Sequence, residues 1–170
     1  MGDGCHGVAE ARPALGIVDH GSRVLTALRA VSCFNAWTAL GVLCIAIGQW
    51  GKPVRLRTDN AAVFHSRVWR LGLRVLGIKR QFTQPGCPWQ NGRIERLFGT
   101  LKARWCELAE PLRHEVHLRL AEFSHWYNAT RPHQHLGGCT PLQAWHDEGP
   151  AARWQVAQWW GGALRAVRRE

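Results

Sequence analysis

The order of short apolar segments along the chain is the feature that most constrains its fold. Two apolar runs joined by a turn, residues 13–18 and 23–31, predict a pair of strands. Residues 54–58 alternate apolar and basic, and residues 78–82 form a further short run, so each predicts another strand. Strands that first follow one another and then alternate with helical segments predict a mixed α/β sheet with helices on both faces.

Helices are predicted where apolar residues recur at spacings of three and four. In the second of these helices, Val68, Leu71 and Val75 share one face. The predicted helices are residues 34–50 with Asn35 as cap and a stop at 51–53, a segment opened by Ser66 and closed by Gly77, about 91–106, about 111–128, and a short helix after the loop that begins at Arg131.

The longest apolar stretch, residues 36–47, is too short to span a bilayer and is expected to be a buried helix. Because residues 1–12 do not resemble a secretory signal, we expect a soluble, cytoplasmic protein with no membrane partner. The six cysteines include no C-x-x-C pair, and His20, His133 and His135 lack ligand-spaced partners. The histidines are therefore expected to be surface or packing residues.

The charge balance is strongly basic. The chain has 22 Lys and Arg against 12 Asp and Glu, a net charge of +10 with neutral histidines. A positive field of this size attracts polyanions, of which nucleic acid is the commonest. Residues 147–170 form a basic tail in which Trp159 and Trp160 are expected to form an exposed apolar patch. The tail arginines, candidates for solvation or for phosphate contact, are Arg153, Arg165, Arg168 and Arg169.

Two carboxylates stand out by position. Asp59 follows a predicted strand, where α/β folds place ligands, and Glu95 lies in the first turn of a predicted helix. There are 35 residues between them along the chain. Gly99 and Lys102 follow Glu95 on the same side of the helix, so open space and a cation are expected beside it.

Three segments in this order carry a family resemblance: RTDNAAVF, PWQNGRIERLFGTLK and WYNATRPHQHLGGCTPLQAW. Together they resemble the integrase-type transposases of bacterial insertion sequences, which share a D-D-35-E arrangement of carboxylates. The resemblance covers residues 13–146 and implies a ribonuclease-H-like fold for a catalytic core over residues 1–146. It also implies cutting and joining of DNA with Mg²⁺ or Mn²⁺, with DNA element ends and target DNA as partners and a homo-oligomer as one assembly.

The resemblance implies that Asp59 and Glu95 are catalytic metal ligands and leaves the first carboxylate open. Asp3 lies at a suitable interval before Asp59, but its glycine-rich surroundings do not resemble a strand. Asp19 follows a good strand, yet it matches a family position that is usually not catalytic. The third alternative is that the first strand is truncated. A site without that carboxylate is expected to be weak or inactive in strand cutting.

Three further residues are candidates for contacts with DNA. Lys102 is placed there by the resemblance, with a solvated helix lysine as the alternative. Asn60 either contacts DNA, orients Asp59 or forms an Asx turn. Asn91 either contacts DNA or, with Gly92, caps the helix. The functions that remain open are an active transposase, a fragment that binds DNA without cutting it, and a basic nucleic-acid-binding module without metal chemistry.

Overall fold

The computed structural model describes residues 13–84, 86, 91–108, 115–149 and 154–169. Strands β1 (Ala14–Val18) and β2 (Leu25–Ala30) form an antiparallel pair, in which Ala14 lies opposite Ala30 and Val18 opposite Leu25. The register shifts between Ile17 and Val18, next to the connecting turn. Both predicted strands are confirmed.

Helices cover both faces of this strand pair because its side chains alternate. Leu15 and Ile17 pack against helix α1 (Ala36–Trp50) and its neighbours. On the opposite face, a Cβ added to Gly16 would lie 3.2 Å from Phe98 Cζ and 3.3 Å from Ile94 Cδ1 of helix α4 (Gly92–Cys106). The absence of a side chain at Gly16 therefore lets α4 approach the strand closely.

The next unit is a parallel crossover. Strand β3 (Arg55–Thr58) leads through the short helix α2 (Ala62–His65) and helix α3 (Arg67–Val75) to strand β4 (Lys79–Phe82), which pairs parallel with β3. The Ser66 side chain accepts a hydrogen bond from the Trp69 backbone N–H at 3.2 Å and so caps α3 as predicted.

Helix α3 is buried on one side. Trp69 and Leu73 are buried, whereas Leu71 is 60% exposed and Val75 78% exposed. The Trp69 ring contacts the Phe64 ring at a centroid distance of 5.1 Å, and Val68 packs against the same core. Helix α1 is likewise buried on one side alone, since Trp37 is 72% exposed.

Helix α5 (Val116–His125) continues into a π-helical turn, Trp126–Thr130, where the prediction had a single helix to residue 128. A 3-10 turn (Gln134–Leu136) and helix α6 (Pro141–Trp145) follow, and Thr140 caps α6 with a reciprocal hydrogen bond to Gln143. No helix in the described ranges combines the length and the hydropathy that crossing a membrane requires.

The tail forms an antiparallel hairpin of strands β5 (Trp154–Trp159) and β6 (Leu164–Arg169), which the sequence did not predict. The expectation that Trp160 is exposed is wrong. Its ring lies 5.9 Å from that of Trp105 in α4, and its indole N–H donates to Glu122 Oε2 at 2.7 Å. Trp160 and Leu164 therefore share one core with α4 and α5.

Candidate active site

Asp59 lies directly after β3, at the carboxyl ends of the parallel strand pair. Its Oδ1 accepts a hydrogen bond from the Ala61 backbone N–H at 3.0 Å, an Asx turn that fixes the carboxylate at the strand end. The side chain is exposed, and no other hydrogen bond from the described residues reaches it. Asp59 thus uses Oδ1 for the turn, and its Oδ2 accepts no hydrogen bond from the described residues.

Asn60 braces the same edge of the sheet. Its Nδ2 donates to the Thr83 carbonyl at 3.1 Å, and the Thr83 N–H donates to the Thr58 carbonyl at 3.1 Å. The segments that follow β3 and β4 are therefore held together immediately beside Asp59. This brace is not one of the roles expected of Asn60 from the sequence, and a contact of Asn60 with DNA remains a prediction.

Glu95 is exposed in the first turn of α4, and its backbone N–H donates to the Asn91 carbonyl at 3.1 Å. A Cβ added to Gly99 would meet nothing within 4 Å, and Lys102 is also exposed. The open stripe expected beside Glu95 is therefore present. Asn91 occupies the N-cap position without a side-chain capping hydrogen bond, so a side-chain cap at Asn91 is wrong.

The beginning of α4 is attached to the turn between β1 and β2. The Arg93 guanidinium donates to the His20 carbonyl. Partial burial lowers the pKa of Arg93, and the charges of Arg23 and Arg57 lower that pKa further. Burial, followed by the charges of these arginines, also lowers the pKa of His20.

Arg23, Arg57 and Arg93 consequently form one basic cluster, to which strand β3 and helix α4 each contribute. Arg57 lies two residues before Asp59, and Arg93 lies two residues before Glu95. The acidic side chain that interacts with this cluster is Asp19, whose charge acts to raise the pKa of Arg93. No group of three His, Cys, Asp or Glu side chains within the described ranges is arranged to hold a metal ion.

Asp19 serves the β1–β2 turn. Its Oδ2 accepts hydrogen bonds from the Gly21 N–H at 2.9 Å, the Ser22 N–H at 2.8 Å and the Ser22 hydroxyl at 2.9 Å. A single oxygen with three donors is the acceptor that shapes this turn and places Arg23 in the left-handed region at φ 67°. Asp3, the other candidate for the first carboxylate, lies outside the described residues.

A second polar centre, which sequence reasoning missed, lies in the π-helical turn after α5. The buried Asn128 accepts from the Leu25 N–H at 2.8 Å and donates to the Leu25 carbonyl at 2.9 Å. The Asn128 side chain thereby pairs with the backbone N–H and carbonyl of Leu25, as the backbone of a neighbouring strand would. The sequence signal was available in the segment WYNATRPH, although nothing in its pattern distinguished a buried amide from an exposed one.

Arg131 joins this turn to α4. Its guanidinium lies 5.5 Å from the centre of the Trp126 ring and 5.6 Å from that of Tyr127, and it donates to Thr100 Oγ1 at 3.3 Å. His133 packs edge-on against Tyr127 at 4.8 Å. Burial, followed by the charge of Arg131, lowers the pKa of His133 to about 4, so it is a neutral packing residue at pH 7.

Part of the chain is similar to a known protein family. The family model for the integrase core domain matches residues 76–141, a range that contains Glu95, Lys102 and the turn after α5. Asp59 lies outside this range, directly after the strand that pairs with β4, so its position relative to the matched segment follows from the fold.

A curated relative points the same way. The chain is similar to a 39.2 kDa protein of insertion element IS476 from Xanthomonas euvesicatoria, at 29% identity over 134 residues, 74% of this chain and 33% of that relative. The chain therefore spans about a third of the length of this curated relative.

Solved structures show the fold. A chain of the simian T-cell lymphotropic virus intasome is 18% identical with a TM-score of 0.69 over 92% of this chain and 65% of that one. The HTLV-2 integrase catalytic core, solved with magnesium, is 17% identical with a TM-score of 0.63 over 79% and 93%. The chain thus has the ribonuclease-H-like α/β fold that the sequence predicted.

Proposed function

We propose that this chain is the catalytic core of a transposase that cuts DNA strands and joins them to a target, with divalent metal ions held by Asp59 and Glu95. The observation that carries the proposal is the pair of exposed carboxylates, Asp59 directly after β3 and Glu95 in the first turn of α4. The chain also has a basic cluster of Arg23, Arg57 and Arg93. Carboxylates bind the ions, whereas the cluster attracts the phosphates on which they act.

The two side chains fit a hard divalent cation. Asp59 has Oδ2 without a hydrogen bond from the described residues, and the Glu95 carboxylate is exposed beside the open position at Gly99. Mg²⁺ and Mn²⁺ prefer such oxygen ligands, and when bound they activate a hydroxyl nucleophile and stabilise the leaving oxygen. Lys102, two turns along α4 from Glu95, would then neutralise a phosphate held beside the carboxylate.

The third carboxylate is proposed to be Asp3, since Asp19 is used by its turn. We further propose that Lys102, Asn91 and Asn60 contact DNA. The Asn91 side chain makes no capping hydrogen bond and Lys102 is exposed, which supports this role for both. The Asn60 side chain already donates to the Thr83 carbonyl. The DNA partners would be element ends and target, bound by a homo-oligomer, in keeping with the intasome and the dimeric core among the similar structures.

The second candidate function is DNA binding without strand cutting. The commitment of Asp19 to three turn hydrogen bonds favours it, because the described carboxylates at the site are then Asp59 and Glu95. Two carboxylates offset half of the charge of two divalent ions, so the ions would be held loosely. Either function requires duplex binding, whose affinity should fall steeply between about 50 and 200 mM salt.

The deciding experiment is a strand-transfer assay on pre-cut element ends with Mn²⁺ or Mg²⁺. The catalytic proposal expects weak joining by the unmodified chain and a loss of at least about 10²-fold in Asp59→Asn and Glu95→Gln, with duplex binding retained. Loss in Asp3→Asn would identify Asp3 as the third ligand, whereas loss in Asp19→Asn would identify Asp19.

Two other outcomes are informative. Duplex binding without any joining, in both metals, would establish the second candidate function. Failure to bind duplex DNA even at low salt would contradict both, since each depends on the basic charge of the chain.

A further inference from the structure

A basic cleft lies on the surface of the crossover unit that β3, α3 and β4 form. It has a volume of about 540 Å³ and lies between helix α3 and strand β4. Its floor includes the buried Leu73 and Ile78. Four arginines line it, and we call them the arginine groove: Arg67, Arg70 and Arg74 from α3 and Arg80 from β4.

The α3 wall of the groove carries uncompensated charge. Arg67, Arg70 and Arg74 are exposed, and the ion pairs among the described residues are made elsewhere, by Arg104 and Arg119. The first turn of α3 contains no acidic residue that would offset the repulsion between Arg67 and the positive end of the helix dipole. Repulsion along this wall would be relieved by a bound polyanion.

The opposite wall is held in place by aromatic contacts. The Arg80 guanidinium lies 5.4 Å from the centre of the Phe82 ring, and Phe82 stacks on His65 at 4.5 Å with an angle of 3° between the rings. A guanidinium fixed over a ring loses less conformational entropy when it binds an anion than a free side chain does. The Arg80 wall of the groove is therefore held by ring contacts, whereas the α3 wall is formed by exposed arginines.

The spacing of the α3 arginines suits a nucleic-acid strand. Arg67 and Arg74 are seven residues apart, about 10 Å along a helix with a rise of about 1.5 Å per residue. Phosphates of one strand of a duplex follow at about 3.4 Å along its axis, so this length matches about three of them. Guanidinium groups are also well suited to phosphate oxygens because they can form two parallel hydrogen bonds.

The groove begins near the candidate active site. In a parallel crossover the helix runs back against the strands, so Arg67 lies at the edge of the sheet where Asp59 ends β3. Arg74 lies at the other end of α3, away from that edge. A duplex engaged at Asp59 could therefore continue along the groove.

We propose that the arginine groove binds the phosphate backbone of duplex DNA beyond the residues that act at the catalytic carboxylates. The inference rests on the proposed function in taking DNA as the partner, but it does not require metal chemistry. It assigns a second contact region to the face formed by α3 and β4.

The test compares two charge-matched double variants of the full chain. Arg70→Gln with Arg74→Gln removes two groove charges, whereas Arg29→Gln with Arg104→Gln removes two partly exposed charges from other surfaces. Binding of a duplex without element sequence is measured by fluorescence anisotropy over a range of salt concentrations, and thermal unfolding checks that all three proteins are folded. A parallel titration uses polyglutamate in place of DNA.

The groove variant is expected to lower the slope of log affinity against log salt by about 2, while the control variant lowers it by less than about 1. Equal losses in the two variants would overturn the proposal, since they would show a general effect of net charge. Loss of polyglutamate binding with retained duplex binding would also overturn it and assign the groove to an acidic protein. The proposed catalysis fails separately, if Glu95→Gln leaves metal-dependent joining unchanged.

Discussion

The turn after α5 and the edge that carries Asp59 and Glu95 differ in how their polar atoms are used. In the turn, Asn128 is buried and both of its amide atoms bond to Leu25. At the edge, Asp59 uses one oxygen for its own turn, and Glu95 is exposed. The polar atoms of Asn128 in the turn therefore stabilise the fold, whereas the carboxylates at the edge remain exposed to solvent.

The largest expected effect on stability is at Asn128. Asn128→Ala leaves the buried N–H and carbonyl of Leu25 without partners, so the free energy of unfolding should fall by about 2–4 kcal/mol. The matched control is Asp59→Asn, which should change it by less than about 0.5 kcal/mol. Urea denaturation measures both, and similar values for the two variants would abolish the distinction between the regions.

A pair of glycine substitutions tests the packing of α4. Gly16→Ala brings a methyl group within 3.2 Å of Phe98 and should destabilise the chain by about 1–3 kcal/mol. Gly99→Ala faces open space within the helix and should stabilise it by about 0.5–1 kcal/mol. Opposite signs in thermal unfolding are expected. Destabilisation by Gly99→Ala would show that the face beside Glu95 is covered.

The smallest effect is a pH dependence from His133. Its folded pKa of about 4 lies below the ordinary value of 6.5, so between these values the unfolded chain binds a proton that the folded chain does not. This contribution to stability is therefore complete above pH 6.5 and is lost as the pH falls towards 4. In His133→Gln the free energy of unfolding should fall less steeply with decreasing pH. The change in slope should correspond to less than one bound proton, since the side chain is only half-buried. An unchanged pH profile would place His133 in solvent.

Much of the fold could be predicted because its elements are bounded by local signals. Asn35 and Ser66 cap helices as predicted, and the strand from Arg55 to Thr58 ends at Asp59. The hairpin of β5 and β6 was missed because its pairing is stabilised through Trp160, whose partner Glu122 is distant in sequence. The use of Asn128 was missed for the same reason, since its partner Leu25 lies 103 positions away.

The candidate site could be predicted in part. Asp59, Glu95 and the open stripe through Gly99 and Lys102 follow from spacing and helical periodicity. The basic cluster of Arg23, Arg57 and Arg93 could not be predicted, because Arg57 and Arg93 meet through tertiary packing alone. The sheet, the turn and α4 each contribute one arginine to it.

The most direct test of the central claim is the binding of Mn²⁺, measured by electron paramagnetic resonance or calorimetry. If Asp59 and Glu95 share an ion, Asp59→Asn and Glu95→Gln should each weaken binding at least about tenfold, a change of about 1.4 kcal/mol. Glu107→Gln is the control, since Glu107 is an exposed carboxylate paired with Arg104 and should leave the affinity unchanged. Affinity that is the same in the unmodified chain, Asp59→Asn and Glu95→Gln would contradict the claim.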